Sequence, residues 1–80
     1  MSLTAVPEPN GKVNVAVAST GDGVPLANEP VKAYRGTRPV ASGVTNRYGL
    51  AVLKMPSPGV YLVKTATGNA MRVREDGPNG

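Results

Sequence analysis

Eighty residues without cysteine or histidine make one domain that no disulfide staples and that lacks the two commonest transition-metal ligands. The net charge of +4 favours an acidic partner or surface, yet Lys12, Lys32, Arg35, Arg38, Arg47, Lys54, Lys64, Arg72 and Arg74 form no dense basic run. No apolar stretch approaches the ~20 residues of a membrane helix, and the opening MSLTAVPEP has neither the basic start nor the apolar run of a secretory signal.

From the N-terminus, residues 1–11 read as an extended arm with room for a short strand at Leu3–Val6. Residues 12–75 read as the domain proper. Val13, Val15 and Val17 alternate with Lys12, Asn14, Ala16 and Ala18, the period of a strand with one buried face. After the turn-rich STGDGVPLANEP, Val31 and Ala33 share one side of a second strand and Lys32 and Tyr34 the other. Further strands follow at Val40–Thr45, Leu50–Met55, Val60–Ala66 and Ala70–Glu75, and 76–80 reads as a tail. Ten glycines and eight prolines punctuate these pieces, and nowhere is there an apolar repeat at helical spacing. The expected fold is all-β: an immunoglobulin-like or transthyretin-like antiparallel sandwich of about seven strands.

Three segments, GVPLANEPVKA, VTNRYGLAVLKM and PSPGVYLV, resemble in their order the carboxypeptidase-regulatory-like and Cna-B-type domains, relatives of the transthyretin-like sandwiches. The likeness covers roughly Gly11 to Val73. It rests on a Gly-x-Pro-Leu segment leading to Val31, a Thr-x-x-x-Gly turn at Thr45–Gly49, and a Pro-Gly-x-Tyr corner at Pro58–Tyr61. The resemblance implies a sandwich and a spacer, stalk or accessory role. Cna-B-type domains often form an internal isopeptide bond from a lysine on the first strand and an asparagine on the last, with a buried acid between. Lys12 and Asn69 occupy about the first two places, but Thr65 stands where the acid belongs. Tyr34–Thr37 is similar to the C-terminal Tyr-Arg-Gly-Ser of transthyretin-like hydroxyisourate hydrolases; here it lies mid-chain with no histidine to activate water, so it reads as a strand end and a glycine turn.

The carboxylates Glu8, Asp22, Glu29, Glu75 and Asp76 all read as tail or turn residues, which leaves general acid–base catalysis without tuned groups. No catalytic residue, metal or cofactor is expected, and the chain is read as a non-enzyme. The informative departure lies on two strands. With Ala51, Leu53, Met55, Tyr61 and Val63 directed to the core, Leu50, Val52, Val60 and Leu62 should be polar and are not. Such a surface marks an interface unless an N-terminal strand carrying Leu3 and Val6 covers it, or the register is shifted by one. Arg47, Tyr48, Tyr34, Arg35 and Arg38 are candidate loop contacts.

The favoured expectation is a structural protein that docks on a larger assembly, most sharply a phage capsid decoration (cement) protein in a virion, with self-association as a further partner. The alternative is a spacer or a carbohydrate- or matrix-binding module of a cell-surface or tail-fibre protein. A small nucleic-acid binder comes third, because single-strand binders interleave cations with more aromatics than three tyrosines supply.

Overall fold

The computed structural model describes residues 2–8 and 11–75. The expected tail, 76–80, with Asp76, lies outside the described residues. Seven strands follow in chain order: β1 (Ser2–Pro7), β2 (Lys12–Ala18), β3 (Pro30–Arg35), β4 (Arg38–Val44), β5 (Leu50–Lys54), β6 (Gly59–Thr65) and β7 (Ala70–Glu75). A three-stranded sheet, β1-β2-β5, packs on a four-stranded sheet, β4-β3-β6-β7, and every pairing is antiparallel. The chain is therefore a β-sandwich. In immunoglobulin lettering the first sheet is A-B-E and the second holds C, F and G, with the fourth strand beside C. The segment read as an arm, 1–11, carries β1 as an edge strand beside β2, lying in the plane of the sheet rather than across its face.

Alternation decides which side chains meet. Val13, Val15 and Val17 of β2, with Ala51 and Leu53 of β5 and Ala5 of β1, face Val31 and Ala33 of β3, Tyr61 and Val63 of β6 and Val73 of β7; all are buried. Full burial of each larger member stabilises by about 1.5–3 kcal/mol, and in so thin a core few side chains supply most of the total. The core register read from sequence, with Ala51, Leu53, Met55, Tyr61 and Val63 inward, is the one observed. A one-residue shift is thereby excluded.

The fourth strand begins two residues earlier than its sequence pattern indicates, at Arg38, so Pro39 lies within it. An edge strand tolerates this, because β4 pairs with β3 alone and a register shift between Ala33 and Tyr34 locally breaks the ladder. Tyr34–Thr37 is a strand end and turn, as expected. Glu75 corrects the sequence reading. It ends β7 on the same side as Val73 and is only 1 % exposed. The strand continues two residues beyond Val73, and period-two alternation carries the carboxylate inward, opposite Gly59.

Candidate functional site

Thr45–Gly49, the turn from β4 to β5, is built for architecture. Buried Thr45 accepts a hydrogen bond at Oγ1 from the Glu29 N–H (2.8 Å) and donates from it to the Leu26 carbonyl (2.6 Å). Its backbone pairs with Asn28 and Glu29, so one residue fastens the β2–β3 connection to the end of β4. Asn46 Oδ1 accepts from the N–H groups of Tyr48 (2.8 Å) and Leu50 (3.1 Å) and closes the turn. Gly49 has φ +73, and a Cβ there would stand 2.5 Å from the Val17 carbonyl oxygen. That leaves Arg47 and Tyr48 at the exposed tip, with the guanidinium 5.0 Å from the ring centre.

The Pro-Gly corner before β6 is equally structural. Tyr61 Oη donates to the Ser57 carbonyl, and the buried ring lies under the Arg35 guanidinium at 5.7 Å. Arg35 Nη1 also donates to Ser57 Oγ. Arg35 and Arg38 face each other across the β3–β4 hairpin, at the same end of the sandwich as this corner. Tyr34 is elsewhere, half-buried on the outer face of β3 beneath Lys64, whose ammonium is 5.7 Å from the ring centre.

The residues proposed from sequence as one interface fall into three places. Leu50 (49 % exposed), Val52 (57 %) and Val6 (53 %) share the outer face of β1-β2-β5. The registers set Val6, Asn14 and Val52 in one cross-strand row and Thr4, Ala16 and Leu50 in the next. Val60 (53 % exposed) and half-buried Leu62 lie on the outer face of the other sheet, across the core from Leu50. Consecutive strands β5 and β6 belong to different sheets, so sequence neighbours here are not surface neighbours. Leu3 is on neither outer face: it pairs with Val17 and packs against the core. Val6 adds to the apolar face instead of shielding it.

Sequence reasoning missed Val44, 58 % exposed at the end of β4. It approaches β5 where the sheets meet and, with Asn46, lines a groove of about 690 Å³ together with Thr4, Val6, Ala16, Leu50 and Val52. An apolar residue at an outward position of β4 was the available clue. Isolated exposed aliphatics are ordinary, but four lining one groove are a patch of the kind that marks contact surfaces. Lys12 and Lys54 stand opposite each other at one end of this face, where Glu8 meets Asn14.

The geometry separates the isopeptide candidates. Lys12 is exposed at the start of β2, level with Lys54, the last residue of β5. Asn69 follows β6 at the opposite end, where its N–H donates to Thr65 Oγ1 (3.2 Å). The carboxylates are likewise dispersed. Asp22, in the β2–β3 loop, is held below the usual aspartate range, first by the Ser19 hydroxyl and then by the Val24 N–H. Glu29 receives Thr67 Oγ1 at 3.4 Å. Among the described residues, no group of three or more His, Cys, Asp or Glu could hold a metal ion. Compared with protein-family models, curated proteins and solved structures, the chain matches none.

Proposed function

We propose that the protein is a non-catalytic structural module that docks on a larger protein assembly through the outer face of β1-β2-β5. The observation that carries this reading is the aliphatic groove of Val6, Val44, Leu50 and Val52, 49–58 % exposed, over a sheet whose other face already fills the core. Covering such a surface removes apolar area from water at about 25 cal/mol per Å². For so small a core, this adds to the stability of the docked state. The segment order resembling carboxypeptidase-regulatory-like and Cna-B-type domains supports the same class of role, since those domains serve as spacers, stalks and accessory modules. In its sharpest form the proposal makes the assembly a phage capsid and the module a cement protein on its shell.

The test is co-sedimentation with particles from the source organism. The native chain is expected in the fast-sedimenting fraction. The double variant Leu50→Lys/Val52→Lys, whose substitutions point into solvent, is expected to melt at the same temperature and stay in the slow fraction. A native chain found only as a slow-sedimenting monomer, or a variant that co-sediments normally, overturns the proposal.

A further inference from the structure

The two outer faces of the sandwich carry different chemistry, and the second has no role in the docking surface above. Four of the nine basic residues project from the outer face of β4-β3-β6-β7: Lys32, Lys64, Arg72 and Arg74, all exposed. They are 32, 64, 72 and 74 in sequence, but pairing gathers them. Lys32 stands directly opposite Lys64, Leu62 opposite Arg72, and Val60 opposite Arg74. Like charges directly opposed across an antiparallel pair repel. A compensating carboxylate is the usual remedy, and among the described residues none projects from this face. Glu75 turns into the core, and Glu29 sits before β3 at the end of the sheet, facing Thr67. The Lys32–Lys64 pair also borders a depression of about 400 Å³ lined by Pro30, Tyr34 and Ala66.

We infer that this face binds an acidic polypeptide surface, with Lys32, Lys64 and Arg72 pairing its carboxylates and Val60 and Leu62 meeting the aliphatic groups between them. Charge complementarity identifies the partner as an anion. The apolar interleaving selects a protein over a nucleic acid. Single-strand binders stack bases on several aromatic rings, whereas this face offers only Tyr34, half-buried and already beneath Lys64. The broad face of a four-stranded sheet also presents no helix or isolated two-stranded ribbon to a duplex groove. The module then has two dissimilar contact faces, an apolar one and a basic one, on opposite sides of the core.

The experiment measures binding of a fluorescein-labelled oligoglutamate peptide to the full chain by anisotropy, across a range of ionic strengths. Two variants of equal net charge are compared, Lys32→Gln/Lys64→Gln and Lys12→Gln/Lys54→Gln, each checked for unchanged melting. The first is expected to weaken binding by roughly tenfold and the second to leave it nearly unchanged, with native binding declining as salt rises. Equal losses in both variants assign the affinity to net charge and overturn the inference, as does absence of binding at low salt. Tighter binding of labelled oligodeoxythymidylate, lost in the Lys32/Lys64 variant, overturns it in favour of a single-stranded nucleic acid.

Discussion

Gly49 shows how one residue can be required twice, by its dihedral and by its surroundings. Its φ of +73 disfavours any side chain, and the Val17 carbonyl occupies the space a Cβ needs. Gly49→Ala is therefore expected to destabilise by at least about 1–3 kcal/mol. Gly21→Ala provides the control: φ is +100 there, but nothing lies within 4 Å of the added methyl. Urea titrations should separate the two, and equal losses would exclude the close approach as a cause. Asp22 provides a second residue-scale test. Its folded pKa is depressed, so the associated stabilisation is present above the unfolded value near 3.9 and is lost as pH falls through the folded one. Ser19→Ala should raise the Asp22 midpoint in a carboxyl NMR titration, because it removes the largest cause of the shift. An unchanged midpoint would refute that assignment.

At the scale of elements, the connections matter as much as the strands. The β2–β3 segment crosses from one sheet to the other and is held at three points: an Ala18–Pro25 bridge, the Leu26 N–H donating to Val17 (3.0 Å), and Thr45 reaching Leu26 and Glu29. Thr45→Val keeps the shape and removes the hydroxyl, leaving a carbonyl and an N–H in a half-buried setting without their partner. An expected loss of about 1–3 kcal/mol is measurable by chemical denaturation. Hydrogen exchange at Glu29 should accelerate with it; unaltered exchange would show that Thr45 does not hold this crossing. The same element logic explains the divided interface. Each strand's outward residues were readable from alternation, but β5 and β6 are joined by a corner that changes sheet. Leu50 and Val52 are thereby brought beside Val6 and Val44, while Val60 and Leu62 go with the arginines of β7.

For the molecule as a whole, the two sheets give the scattered charge and hydrophobicity a direction. One outer face concentrates aliphatic side chains around a groove, and the other concentrates cations without an intervening described carboxylate. The docking and oligoglutamate experiments address these faces separately, so failure of either leaves the other standing. The class of fold, the inward set of valines and the structural character of Thr45–Gly49 and Pro58–Tyr61 were all legible in the sequence. Periodicity, turn chemistry and glycine placement are local properties, written within a few residues of where they act. Alternation with Val73 accounts for the burial of Glu75, but local pattern did not show that Leu3 belongs to the core or that Val44 joins Leu50. Nor did it show that Lys32 opposes Lys64. Those facts depend on which strands pair and in which sheet, a choice made by long-range packing of the two inner faces. The sequence by itself determined which residues of β2, β3, β5 and β6 face outward; only the tertiary structure decided which of them stand together, because adjacency across a sandwich is a property of strand order and not of chain order.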